Sequence, residues 1–134
     1  MRRALHRLRG EHGSTTVELA LVMPVLLVVL LGAVQFALIS HAQAVVETAA
    51  DEGARLAASA GVSPYAGDAR ARQVLTSGLG HTGASYSVSV GQWGGTIVAQ
   101  VSGSYPLLIP WLWQRSVWLH AQAEQRKEGL RGGP

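Results

Sequence analysis

From Leu19 to Ser40 the chain carries no charged residue, and the run that opens this stretch, Leu19 to Val34, is apolar on every side of a helix and not along one stripe. At about 1.5 Å per residue, the roughly 21 residues from Leu19 to Ile39 cover about 30 Å, the thickness of a bilayer core. A soluble protein could hide such a helix only by packing neighbours on all its faces. The 134 residues of this chain leave too little to do so, and room for just one further small compact unit. The stretch therefore reads as a transmembrane helix over about residues 19–40. Pro24 removes one backbone donor and invites a kink, and Gly32 interrupts an otherwise strong helix former; lipid tolerates both where neighbours compensate.

The formal net charge of +3 is unevenly placed. Arg2, Arg3, Arg7 and Arg9 precede the span, whereas Glu47, Asp51 and Glu52 follow it before the next arginine, Arg55. That bias puts the N-terminus in the cytoplasm and the bulk of the chain outside. No aromatic residue is interleaved with the basic cluster and no nucleic-acid-binding motif surrounds it, so a nucleic-acid partner is not expected. With no cysteine, the chain can have neither disulfides nor a thiol nucleophile.

Beyond the span the pattern stays helical. Val45, Ala49, Leu56 and Ala60 recur at helical spacing, and Asp51 stands four residues before Arg55 in the order that favours an ion pair. The long helix is expected over 14–60, ended by Gly61, Pro64 and Gly67. Asp68 is placed to cap a second short helix with Ala71, Val74 and Leu75 as its apolar stripe and Gly78 and Gly80 as its stop. The rest reads as sheet. Tyr86, Val88 and Val90 alternate with serines, a Gly-Gln-Trp-Gly-Gly turn follows, and Ile97, Ala99 and Val101 alternate with polar residues. Val117, Leu119, Ala121 and Ala123 suggest a third strand, reached through Tyr105-Pro-Leu-Leu-Ile-Pro-Trp-Leu-Trp. Three strands can bury one face against a helix. The expectation is an α+β architecture with a small extracytoplasmic domain over 61–124 and a polar, frayed tail over 125–134.

Residues able to carry chemistry are sparse. The histidines at 6, 12, 41, 81 and 120 lie apart, and no pair has the i, i+4 spacing of a helical metal site. No serine or threonine stands in a motif with a base, and no Gly-rich stretch has the spacing of a phosphate cradle. Neither a metal, a cofactor, a small-molecule substrate nor an enzymatic activity is expected.

The informative constellation lies just before the span: Gly13-Ser14-Thr-Thr-Val-Glu18, followed at once by apolar sequence. It resembles a type IV prepilin leader, with Glu18 as the fifth residue after a cut between Gly13 and Ser14. Ser14 departs from the bulky apolar residue usual after the cut. The likeness extends along the helix. Gly13-Ser-Thr-Thr-Val-Glu-Leu-Ala-Leu-Val-Met-Pro24, then Gln35-Phe36, then Glu52-Gly53-Ala54-Arg55 are similar to the TadE-like family of pseudopilins, with Leu19 where that family usually has phenylalanine. The run Tyr105 to Pro110, with Leu119-His-Ala-Gln-Ala and Arg126, is similar to the family's closing strand.

The resemblance implies a pilin-like fold and a non-enzymatic, minor pilin-like subunit. Such a subunit would act in assembly of tight adherence pili or related secretion in the bacterial cytoplasmic membrane. It implies processing at Gly13 and Ser14 by a prepilin peptidase, with residues 1–13 as a basic cytoplasmic leader, and other pilin-like subunits as partners. Glu18 would be the carboxylate recognised by the peptidase or paired with the new ammonium group of a neighbour's Ser14; sequence physics alone leaves open that it simply sits among headgroups. Small residues at Gly32, Ala33 and Ala37 would allow helices to approach closely.

Two other readings compete. Ala42-Gln-Ala44 has the small-x-small form of a signal peptidase site, and its use would release a secreted domain beginning at Val45. An uncut, membrane-anchored interaction domain is the other, in which Trp111, Trp113 and Trp118 form a binding patch, rest at the membrane interface, or fill the core.

Overall fold

The computed structural model describes residues 2–108 and 116–129, with residues 2–12 described by their backbone alone. Ile109, Pro110, Trp111, Trp113 and the second half of the expected tail, residues 130–134, lie outside the described residues. The chain forms two units, Met1–Phe36 and Ala37–Pro134. Helix α1 (Arg2–Ala58) supplies the whole described part of the first and opens the second. In the first unit every residue from Gly13 to Val34 is exposed, so the apolar side chains of the expected span have no protein covering them.

The second unit continues with α2 (Pro64–Leu79), a single turn α3 (His81–Ala84), and strands β1 (Ser87–Trp93), β2 (Thr96–Pro106) and β3 (Ser116–Arg126). The strands form one antiparallel sheet in the order β1-β2-β3. This is the α+β arrangement expected, with the C-terminal part of α1 packed on a three-stranded sheet.

Period-2 alternation sets the sheet's inner face. Ala99 pairs with Val90 and Ala123, and Val101 with Val88 and Ala121, so one face gathers the apolar members of all three strands. Ile97, Ala99 and Val101 are buried. The β1–β2 turn is only Gly94-Gly95, both at positive φ (52° and 88°), which a two-residue hairpin turn of the right twist requires. Gly91, Gln92 and Trp93, expected in the turn, therefore belong to β1. Trp93 lies across Gly91, where an added Cβ would sit 3.3 Å from the indole nitrogen.

The buried face of α1 differs from the stripe expected. Ala42, Val46, Ala49, Ala50, Ala54, Ala57 and Ala58 face the core, whereas Leu56 and Ala60 are exposed and Val45 is half-buried. The face is chosen for smallness, because α2 and the sheet both come close to this helix. Gly67 on α2 abuts Gly53 on α1 so tightly that a Cβ on Gly67 would lie 2.5 Å from the Gly53 carbonyl oxygen and 2.7 Å from the Ala57 methyl. Gly78 likewise faces Val45 inside α2 and does not end it; the helix stops at Gly80, which has positive φ (59°) and whose N–H donates to the Thr76 carbonyl.

Helix α2 also begins earlier than expected. Pro64 occupies its first turn after an extended Ser63, since proline's fixed φ suits that position and its missing N–H has no partner to lose there. Asp68 thus falls in the second turn and accepts a 2.8 Å bond from Arg72 instead of capping the helix. Tyr86, expected in the first strand, precedes β1 and is buried with its ring against Gly103. Its hydroxyl has no hydrogen-bond partner among the described residues, and burial, with Tyr105 adding a smaller effect, pushes its pKa above the usual value.

The close approach at Gly67 gives a direct test. Gly67→Ala should lower the stability of the detergent-solubilised chain by about 1–3 kcal/mol, because backbone and a packed methyl must both yield. Gly32→Ala, with nothing within 4 Å of the added methyl, should not lower the denaturation midpoint, since alanine is the better helix former.

Candidate functional site

From Arg2 onward the expected leader and span residues lie on α1. Gly13 and Ser14 are exposed and helical, and nothing comes within 4 Å of a Cβ placed on Gly13. The bond between them is therefore sterically open, although helical. Glu18 is exposed one turn further on. Pro24 sits inside the helix and leaves the carbonyl of Ala20 without its i+4 donor. Gly32, Ala33 and Ala37 are exposed, with Gly32 equally open.

Glu52-Gly53-Ala54-Arg55 forms the crossing point of the second unit. Glu52 reaches across to α2, where its Oε2 stands 3.4 Å from Arg70 Nη2. Gly53 makes the backbone contact with Gly67, and Ala54 is buried in a cluster with Ile97, Ala99, Ala57 and Ala58. Arg55, in the last turn of α1, is exposed, where a cation complements the helix dipole. The expected Asp51–Arg55 pair does not form; the ion pairs among the described residues are Arg70–Glu52 and Arg72–Asp68. An exposed i, i+4 pair gains only a few tenths of a kcal/mol, too little to hold two solvated side chains together.

Beside this crossing, α1 and α2 leave an open groove of about 520 Å³. Ala44, Val45, Val74 and Gly78 line it with apolar surface, and His41, Thr48, Arg70, Gln73 and Ser77 supply its polar groups. Among the described residues no hydrogen bond joins His41 to the hydroxyls of Thr48 or Ser77, and the Thr48 hydroxyl donates instead to the Ala44 carbonyl at 2.8 Å. Among the described residues, no three histidine, aspartate or glutamate side chains gather as metal ligands.

Sequence reasoning missed how the chain's end secures α1. Strand β3 takes in Gln125 and Arg126, and the next residue, Lys127, extends its ammonium group to the carbonyls of Ala57 (2.6 Å), Ser59 (3.1 Å) and Val62. The Glu128 N–H donates to the Ala58 carbonyl at 2.7 Å. The last carbonyls of a helix have no intrahelical donors, and here the C-terminal segment supplies them. The start of the expected frayed tail is thus a cap. No local pattern signals it, because the donor and acceptors stand far apart in the chain.

The family model for TadE-like protein matches residues 13–55, from the glycine of the leader to the arginine of the crossing motif. That family is one of non-enzymatic pseudopilins. No curated protein and no solved structure matches the chain.

The two polar links should differ in weight. Lys127→Met should destabilise the solubilised chain by about 2 kcal/mol, since it removes charge-assisted bonds to three carbonyls. Glu52→Gln should cost less than about 1 kcal/mol, because the Glu52–Arg70 pair is partly solvated. Paired chemical denaturation curves would rank them.

Proposed function

We propose that this chain is a minor pilin-like subunit, anchored in the bacterial cytoplasmic membrane by α1 and acting in assembly of tight adherence pili or related secretion. The observation that carries the reading is the division of labour along one helix. Its stretch from Gly13 to Val34 is apolar from Leu19 onward and wholly exposed, whereas its outer part is buried in a folded unit. The TadE-like match spans both parts.

In this reading residues 1–13 form the cytoplasmic leader, residues of about 19–40 cross the bilayer, and the sheet and α2 stand outside. A prepilin peptidase cuts between Gly13 and Ser14. Glycine suits that position: it lowers helix stability by about 1 kcal/mol relative to alanine, so the backbone there unwinds easily, and it leaves the bond accessible. Glu18, at the edge of the apolar stretch, then pairs with the ammonium group of Ser14 on an adjacent subunit, since a carboxylate at that depth needs a partner. Gly32, Ala33 and Ala37 offer small surfaces for close approach of another subunit's helix.

The secreted alternative is disfavoured by the core. Ala42 is fully buried in the same cluster as Tyr86 and Leu119, and Gln43 donates a hydrogen bond to the His120 carbonyl at 3.2 Å. A chain beginning at Val45 would lose both.

The processing step is tested by the N-terminal residue of protein taken from native membranes, read by mass spectrometry for wild type and Gly13→Val. A mature chain starting at Ser14, absent in the variant, is expected. A start at Val45 would indicate a secreted domain, and an intact Met1 or Arg2 an uncut anchor.

A further inference from the structure

The β1–β2 hairpin gathers side chains that the core does not use. Register puts Trp93, Thr96 and Arg126 in one cross-strand row and Gly91, Val98 and Glu124 in the next. Paired residues share a face, so these six stand on the face opposite the one that gathers Val90, Ala99 and Ala123. Trp93 is 76 % exposed there, yet its ring has a seat. A Cβ on Gly91 would lie 3.3 Å from the indole nitrogen and 3.9 Å from Cδ1, so the absence of a side chain at 91 is what lets the ring rest on β1. Away from that seat the ring faces solvent.

Beside the ring the turn is hollow. Gly94 and Gly95 satisfy the positive φ of the tight turn, and because they carry no side chains they leave an open groove of about 360 Å³, walled by Thr96, Glu124, Gln125 and Arg126. Neighbouring strands lie about 4.8 Å apart, which puts the backbones at Trp93 and Arg126 about 10 Å from each other. Gln100 donates to Gln122 at 3.3 Å, and the Gln122 amide donates to Glu124 Oε1 at 2.9 Å, which orients the carboxylate. Glu124 and Arg126 are exposed, opposite in charge, and in neither ion pair among the described residues.

We propose that this groove, together with Trp93, binds one end of a neutral saccharide. A sugar ring offers a C–H face, which suits the electron-rich face of an indole. It also offers neighbouring hydroxyls, which suit planar groups that present two donors or two acceptors side by side: the Glu124 carboxylate, the Gln125 amide and the Arg126 guanidinium. The volume is at the small end of ligand sites, room for one or two rings. Opposite charges side by side create no net field to draw in a polyanion. A protein partner fits less well, because tryptophan and arginine anchor such interfaces from closely packed surroundings that exclude water. Here the face continues past Trp93 as Ser87, Ser89, Gln100 and Gln122, all exposed and uncharged, a strip of hydroxyl and amide groups along which a longer saccharide can lie. The inference goes beyond a pilin-like role and does not depend on α1 crossing a membrane.

The test uses the full, isotope-labelled chain in micelles of a detergent that contains no sugar. The indole N–H resonance of Trp93 is assigned by its loss in Trp93→Phe, then followed as maltotriose, cellotriose, chitotriose and mannotriose are added separately at millimolar concentration. At least one should shift it saturably while the Trp118 resonance stays in place. Glu124→Gln and Arg126→Ala, at exposed positions, should each weaken that binding several-fold with the backbone spectrum otherwise unchanged. No shift with any of the sugars overturns the site, and so does a shift of equal affinity in both variants. A shift that sodium sulfate reproduces would make Arg126 a general anion contact and overturn it as well, as would a response at Trp118 and not at Trp93.

Discussion

The contact between the backbones of Gly53 and Gly67 fixes how near α2 can lie to α1, and the rest of the folded unit is arranged around that distance. Two helices that meet through glycine leave no room for large side chains beside the contact, which is why the buried face of α1 is mostly alanine. The larger apolar groups of the core come from the other side: Leu75 from α2, Ile97 and Val101 from β2, Leu119 from β3 and the ring of Tyr86. The first unit obeys the opposite rule. Its large apolar side chains point outward, so the same helix is exposed and apolar along one stretch, consistent with single-pass membrane anchoring, and tightly packed against protein along the next.

That division explains what the segment matched by the TadE-like model has in common. Its first part runs from Gly13 along the exposed apolar stretch, whereas Glu52, Gly53 and Ala54 concern the crossing with α2 and the sheet. Glu52 spans the crossing to Arg70, Gly53 permits it, and Ala54 fills the space beneath. The motif is thus where α1, α2 and the sheet meet within the second unit. Lys127 closes the far end of the same helix, so the chain's C-terminal segment holds α1 where its own hydrogen bonding runs out.

Much of this was legible in the sequence because it rests on local periodicity. The uncharged stretch after Glu18 marked the apolar part of the helix, and the alternations at Val88-Val90, Ile97-Val101 and Val117-Ala123 marked the three strands. The buried face of α1 was legible only in part, since Leu56 and Val45 look like core residues while the actual face is defined by what it lacks. Asp68 looked like a cap, but Pro64 had already started the helix. The Glu52–Arg70 and Lys127 links depend on where separate elements come to rest, which spacing along the chain does not encode. The residues from Gly13 to Glu18, by contrast, stand out as a motif alone, and the fold adds only that they are helical and exposed.

The central claim is that a membrane-held helix carries the folded unit on the outer side of the cytoplasmic membrane. It is tested most directly by labelling Ser89→Cys in spheroplasts with a membrane-impermeant maleimide, then separating membranes from the soluble fraction at alkaline pH. The account predicts a labelled chain that stays with the membranes. Labelling that requires the membrane to be opened first, or a labelled fragment free in solution, would contradict it.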